Sequence, residues 1–347
     1  MPITLTIDDV LSTDGVLLDV RSPKEYGQGH VPHALNLPLF SDDERAEIGT
    51  LYRVEGRQSA VCRGLNLVGG RMEALARQLM AASAGHKGLP LRLYCWRGGM
   101  RSSSVAWLAS TLDLPVVVVK GGYKAYRRWA LQRMEMPWPI RLLGGRTGAG
   151  KTDLLLALKA RGVAVVDLEG LAHHRGSSFG GLGLPPQPSN EQFENVLAAS
   201  LHALREAKEI WLEAESAQVG RCRIPAGLWR QMQAAPLLEV RRPLETRLSQ
   251  LVATYGQQEK GALLEATARI RKRLGPQRTA AAMEAIQRGA MGEACAQMLD
   301  YYDRCYDKDT AAHATTSVDL GDLPAEEAAT LLLQQGTIAR DSADRAS

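Results

Sequence analysis

Short unbroken apolar runs alternate with longer amphipathic stretches along the first part of the chain. Val16 to Val20 (VLLDV), Leu91 to Tyr94 (LRLY) and Pro115 to Val119 (PVVVV) are too short for helices and are bounded by turn residues. Such runs predict parallel strands buried on both faces. Arg71 to Ala82 and Ser102 to Thr111 carry helical spacing among good helix formers, so helices are expected between the strands. Met134 to Pro139 (MEMPWP) sets two prolines around a tryptophan, which bars continuation of either element and predicts a domain boundary. Beyond it the alternation restarts. Ile140 to Leu143 reads as a strand, then come a Gly-rich turn and a helix through Lys159, with further short strands at Val163 to Val166 and Ile210 to Leu212. From about Pro243 to Gln297 the pattern is helical. The expected fold class is α/β in two domains, residues 1–136 and 137–338, the second carrying a C-terminal helical region. A disordered tail is expected over 339–347.

A length of 347 residues agrees with two domains. Apolar residues at 45% and charged residues at 23% exclude wholesale disorder. The net charge of +4, from 42 basic and 38 acidic residues, permits an acidic partner without demanding one. Five scattered cysteines without a C-x-x-C pair speak against a disulfide framework or zinc ribbon and for a reducing cytoplasm. The N-terminus lacks the basic and apolar regions of a secretion signal, and no apolar run is long enough to span a membrane.

The strongest chemical signal is Gly145-Arg-Thr-Gly-Ala-Gly-Lys151-Thr152, a P-loop pattern placed after a strand and opening a helix. Backbone N–H groups from Gly145, Thr147, Gly148, Ala149 and Gly150 would wrap phosphate oxygens; Lys151 adds a point charge and Thr152 a ligand for Mg2+. ATP, GTP and an alkyl diphosphate present similar oxygens, so the loop does not name its ligand. Asp167 and Glu213 close apolar runs. Either would orient Mg2+ or a water as a Walker-B acid does, or stand in solvent as a strand-end acid; Glu169 and Glu215 carry the same two readings on a weaker pattern. Leu168 to Gly180 gathers His174, Arg175 and Ser177 among glycines, the composition of a ligand-contacting loop. His173 and His174 have no third ligand at metal spacing, so no metal site is expected.

The second signal is Cys95 in YCWRGGMRS. A cysteine after a strand, followed by Gly-rich residues and a helix start, sits where N–H groups converge, and Arg97 and Arg101 add positive charge. That setting favours a thiolate nucleophile and an oxyanion cradle, against the alternative of a small buried cysteine.

Leu17 to Pro38 (LLDVRSPKEYGQGHVPHALNLP) resembles the N-terminal signature of the rhodanese family, and YCWRGGMRS its active-site loop. The resemblance makes the first domain rhodanese-like, with Asp19, Arg21, Glu25 and His30 structural. Sulfurtransferases of that family generally have a shorter loop, whereas Cys95 and Arg101 stand as C-x5-R, the length in cell-cycle phosphatases of the same fold. Taken with LFSDDERAEIGTLY (Leu39 to Tyr52), LGGRTGAGKT, DLEGLAHHRGSSFG and LEAESAQVGRCRIP, the chain resembles the tRNA 2-selenouridine synthases, from about residue 17 to 225.

That resemblance implies a transferase that replaces the sulfur of 2-thiouridine at tRNA position 34 with selenium from selenophosphate, through an S-geranyl intermediate made from geranyl diphosphate. Cys95 would then handle selenium, and Arg97, Gly98, Gly99, Arg101 and Ser102 would cradle selenophosphate. The P-loop would hold a diphosphate, geranyl diphosphate before ATP, with Mg2+ allowed for and no tightly bound cofactor expected. The expected partners are thiolated tRNA and an enzyme supplying selenophosphate, with no membrane. Arg269, Arg271, Lys272 and Arg273, with Arg278 and Arg288 beyond, form a basic stretch read either as a tRNA contact or as a solvated helix face. Arg241-Arg242 and Lys120 to Arg128 offer other basic spots, where Tyr123 and Tyr126 would stack on an unpaired base. The competing readings are a persulfide sulfurtransferase with a nucleotide-binding regulatory domain, and a P-loop switch on an inactive rhodanese scaffold.

Overall fold

The structure, a computed structural model, describes residues 3–86, 88–310, 313 and 315–338, with the side chains of 308–310 left aside. The chain divides into two compact units, Met1–Gln132 and Arg133–Ser347. The tail expected over 339–347 lies outside the described residues.

In the first unit, β1 (Ile3–Leu5), β2 (Leu17–Asp19), β3 (Leu35–Asn36), β4 (Leu91–Tyr94) and β5 (Val116–Val119) form one sheet in the order β1-β5-β4-β2-β3. Every pairing is parallel. The apolar runs sit where their pattern requires, with Leu18, Leu93 and Val118 all but fully buried in one core. β4 is central, so Cys95 leaves the middle of the sheet at its carboxyl end, the usual place for a ligand site in an open parallel sheet. Two helices of 13 residues each, Asp42–Val54 and Arg57–Gly69, pack against each other between β3 and β4. The first begins at a capping box in which Ser41 and Glu44 exchange side-chain-to-backbone hydrogen bonds. It buries no residue fully, which left its apolar stripe faint in the sequence.

The second unit holds β6 (Ile140–Gly144), β7 (Val165–Val166), β8 (Ile210–Glu213), β11 (Leu237–Arg241) and β12 (Thr315–Asp319), in the order β12-β11-β6-β8-β7. Again every pairing is parallel. A two-stranded antiparallel ribbon joins β9 (Gln218–Val219) to β10 (Cys222–Arg223). The chain runs from β6 to β7 and β8 on one side, then to β11 and β12 on the other. The P-loop therefore follows the strand at which strand order reverses.

The helical region expected at the C-terminus is instead an insertion. It runs through Leu244–Tyr255, Lys260–Arg269, Arg271–Leu274, Pro276–Arg288 and Met291–Thr310, and the chain then returns to the sheet as β12 and the helix Ala325–Gln334. β12 is an edge strand with mostly exposed, polar residues (TTSVD), so it has no apolar run to announce it. No described helix is long and apolar enough to cross a membrane.

Candidate functional sites

Cys95 is buried at the end of β4, in the turn that leads into the helix Met100–Thr111. Gly98 and Gly122 make that turn feasible. Gly98 has φ +65°, and a Cβ there would stand 2.5 Å from the Val119 carbonyl oxygen. Gly122 has φ +57°, and a Cβ there would stand 2.2 Å from the Cys95 carbonyl oxygen and 2.5 Å from the Gly98 nitrogen. The Tyr123 and Lys124 N–H groups then donate to the carbonyls of Cys95 and Trp96, at 2.9 Å each. The glycine pair after β5 thus clamps the cysteine turn from behind.

The Cys95 sulfur lies 3.3 Å from the Ser102 hydroxyl, which itself donates to the Gly99 carbonyl at 3.1 Å. Burial opposes ionisation of the thiol. The Ser102 hydroxyl, the N–H groups of Ser102 and Arg97, and the charge of Arg101 outweigh it and hold Cys95 below the ordinary thiol range. This is the pattern of an activated thiolate. Arg101 is not a free cation, however. Its guanidinium binds Glu25 through contacts of 2.7 and 3.4 Å, and Arg45 approaches the same carboxylate at 3.6 Å. Arg97 is exposed and makes no side-chain hydrogen bond or ion pair among the described residues. Asp19 and Arg21 form a buried bidentate pair, with the Arg21 guanidinium 3.8 Å over the Tyr123 ring.

The expectation that Tyr123 and Tyr126 stack on a base is overturned. Both are fully buried, in a file with Trp129, because the β5 glycine turn aims that helix face into the core.

In the second unit the P-loop closes over the end of β6. Gly148 has φ +82°, and a Cβ there would meet the Arg247 carbonyl oxygen at 2.6 Å. Gly150 is left-handed at the N-cap of the helix Lys151–Lys159. The Lys151 ammonium donates to the Gly145 carbonyl at 3.0 Å, across the mouth of the loop. Ala149 is buried with the hydrophobic core under the loop. Arg247, itself buried, donates to the Thr147 carbonyl at 2.9 Å and forms a two-point ion pair with Asp303, while Arg146 reaches Asp307 at 3.0 Å. The inserted helices are in this way pinned to the loop.

The Thr152 hydroxyl donates to Glu169 at 2.7 Å. Asp167 caps the helix Leu168–Ala172 by accepting from the Gly170 N–H at 2.7 Å. Glu213 lies behind them, fully buried, and accepts from the Leu168 N–H at 2.9 Å. Burial, then the nearby charges of Asp167 and Glu169, push its pKa well above the carboxylate range. Gly176, at φ +67°, lets the Glu215 carboxylate approach to 2.6 Å from where a Cβ would be. Arg175 bonds the Leu182 carbonyl at 3.0 Å, and His174 is wedged against Gly180 and Gly220. Burial lowers the His174 pKa, so the ring is neutral at pH 7.

These elements surround one cavity of about 800 Å3. Gly145, Thr147, Gly148, Gly150, Lys151, Thr152, Asp167, Glu169, Arg175, Ser177 and Glu215 are in its lining. His174, Glu213 and Ala149 are not in the lining. The inserted helices add a mostly apolar set to the lining, Leu251, Tyr255, Leu263, Ile270, Ile286, Met291, Met298 and Tyr302, together with the polar Gln250, Thr254 and Arg273. The sequence does not announce these residues, since they lie about a hundred or more positions beyond the loop and carry ordinary helical spacing.

The basic stretch is not one helix face. The helix ends at Arg269, Ile270 is buried, and a short helix restarts at Arg271, so the cations diverge. Arg269 pairs loosely with Glu265, Arg271 and Lys272 are exposed, and Arg273 lines the P-loop cavity. Arg278 is paired with Asp300, and Arg288 with Glu293. Arg242 is committed to the carbonyls of Ala149, Gly321 and Leu323, and Arg241 to Glu239, so that pair is structural.

Comparison with known proteins matches both halves. Residues 7–128 fit the rhodanese-like domain family, and residues 138–334 fit the family described as tRNA 2-selenouridine synthase AAA domain. A tRNA 2-selenouridine synthase of Marinobacter nauticus is 38% identical over 344 residues, covering 86% of this chain and 90% of that protein. Proteins of the same name from Sulfurovum sp. and Cronobacter sakazakii are 41% and 44% identical; the alignments cover 76% and 72% of this chain, and 76% and 67% of those proteins. With a rhodanese-like unit, a P-loop unit of the matching family, and relatives alike across both, the chain belongs to the tRNA 2-selenouridine synthase family.

Proposed function

We propose that this protein modifies the wobble uridine of tRNA in two steps, one in each unit. In the P-loop unit, geranyl diphosphate alkylates the sulfur of 2-thiouridine: an S–C bond forms, a C–O bond breaks, and diphosphate leaves. In the rhodanese-like unit, selenium delivered from selenophosphate attacks C2 of the base, the C2–S bond breaks, and geranyl thiol departs. Alkylation turns sulfur from a poor leaving group into a thiol, which is why the order matters.

The observation that carries this reading is the two-part lining of the P-loop cavity. The P-loop residues share the cavity with a largely aliphatic and aromatic lining from the inserted helices. An alkyl diphosphate matches both parts, because the apolar lining rewards burial of a hydrocarbon chain at roughly 0.8 kcal/mol per methylene. If Mg2+ accompanies the diphosphate, the hydroxyl of Thr152 and the carboxylate of Glu169 are hard oxygen donors suited to hold it. In the other unit the N–H groups of the turn with Arg97 and Arg101 would hold the phosphate oxygens while the Cys95 thiolate attacks phosphorus: an S–P bond forms, the Se–P bond breaks, the selenide released is the nucleophile for C2, and water then hydrolyses the S–P bond to phosphate. Exposed Arg271 and Lys272 are suited to tRNA phosphate.

Binding calorimetry tests the assignment of the P-loop. Geranyl diphosphate should bind the wild type tightly and ATP weakly, and Lys151→Ala should lose the former. Equal or tighter binding of ATP would replace this reading with that of a persulfide sulfurtransferase under nucleotide control.

A further inference from the structure

A second cavity, of about 1000 Å3, lies in the rhodanese-like unit. One wall is the helix Met100–Thr111, whose N-terminus closes the Cys95 turn; the other is the helical pair Asp42–Val54 and Arg57–Gly69. The groove is apolar almost throughout, and several of its side chains are exposed: Tyr52, Leu65, Met100 and Trp107 at 59, 69, 49 and 61%. Exposed apolar surface concentrated in a cleft marks a binding site. Its charged groups are all cationic: Arg45, Arg53 and Arg101. The Glu25 carboxylate is shared between Arg101 and Arg45, two positive charges against one negative. The groove thus combines an apolar trough, arginines in its lining and an end at Met100 and Arg101, the residues that follow the Cys95 turn.

We infer that this groove holds the alkyl chain of the S-alkylated uridine while selenium displaces the thiol beside Cys95, Arg45 and Arg53 meeting the adjoining phosphates of the RNA. The inference rests on the two-step reading above and adds a site to it. The first cavity receives the chain as a diphosphate; this groove receives it again as the substituent of the leaving sulfur. Gly64 lets its helix pack closely on Phe40, since a Cβ there would stand 3.3 Å from that ring.

The test uses the full-length protein, selenophosphate, and tRNA anticodon stem–loops bearing S-geranyl- or S-methyl-2-thiouridine at position 34. Burial of a few methylenes predicts that the wild type favours the geranyl substrate by about a hundredfold in kcat/KM. Leu65→Glu and Trp107→Glu change exposed side chains, so folding should survive, as circular dichroism would verify. Each should lower kcat/KM for the geranyl substrate at least about tenfold, through KM, and leave the methyl substrate within about twofold. Equal use of both substrates by the wild type, or equal loss on both in the variants, would overturn the groove assignment while leaving the two-step reading standing. So would variants that select between substrates as the wild type does but change the oligomeric state, which would make the groove an interface between copies. If neither S-alkyl substrate is selenated while 2-thiouridine is, the two-step reading itself falls, and the groove assignment with it.

Discussion

Replacing Ser102 by alanine isolates what activates Cys95. In the thiol state the Ser102 hydroxyl donates to the Gly99 carbonyl at 3.1 Å, with the sulfur 3.3 Å away. On ionisation the hydroxyl can turn to the sulfur and make a charge-assisted bond, worth about 1.5–3 kcal/mol, at the loss of a neutral one worth about 0.5–1.5. Gly99 is exposed, so water takes over its carbonyl. The net preference for the thiolate is then of order 1 kcal/mol. At about 1.4 kcal/mol per unit, Ser102→Ala should raise the Cys95 pKa by roughly one unit. Arg101→Ala should raise it less, because Glu25 already neutralises much of that charge. The assay is the pH dependence of iodoacetamide alkylation, resolved by peptide mass spectrometry to separate Cys95 from exposed Cys62 and from Cys295, whose thiol burial pushes up to about 11. A Ser102→Ala midpoint equal to or below that of the wild type, or an Arg101→Ala shift larger than that of Ser102→Ala, would refute the argument.

Three further outcomes follow from the geometry. Burial raises the Glu213 pKa in the folded protein, whereas the unfolded chain ionises it near the ordinary value of about 4.3. Wild-type stability relative to Glu213→Gln is therefore fully present below that pH and falls by up to about 1.4 kcal/mol per unit as pH rises toward the raised folded pKa; a stability difference independent of pH between 5 and 7 would contradict the raised pKa. Gly122→Ala places a Cβ 2.2 Å from the Cys95 carbonyl oxygen at φ +57°. It should cost about 1–3 kcal/mol in the first unit and abolish rapid alkylation of Cys95, with geranyl diphosphate binding kept. Arg247→Met removes a buried guanidinium and leaves the partly exposed Asp303 only the more distant Arg146 at 3.8 Å, at a cost of about 3 kcal/mol by urea denaturation, the low end for a buried pair, and weaker diphosphate binding; a change below about 1 kcal/mol would show the latch to be idle.

Both nucleating motifs were legible in the sequence for the same reason: each is local. The P-loop draws its phosphate-facing N–H groups from a few consecutive residues after a strand, and the Cys95 turn is equally compact. What escaped is what the fold brings together from afar. The apolar lining from Leu251 to Tyr302 shares the P-loop cavity only because the helices are inserted between β11 and β12, and a polar edge strand hid that insertion. Arg247 meets Asp303 across 56 positions, and nothing in either local pattern marks the pair. Tyr123 and Tyr126 were misread because a basic, aromatic stretch looks solvated until the glycine turn before it sets which helix face is buried. The Arg269–Arg273 stretch looked like one stripe because spacing alone does not show the break at Ile270.

The central claim is that selenation passes through an alkylated intermediate made in one unit and consumed in the other. Incubating the purified protein with 2-thiouridine tRNA and selenophosphate, with and without geranyl diphosphate, and analysing the position 34 nucleoside by mass spectrometry tests it most directly. The account predicts 2-selenouridine only when geranyl diphosphate is present, and accumulation of S-geranyl-2-thiouridine in Cys95→Ala. Formation of 2-selenouridine at the same rate without geranyl diphosphate would contradict it.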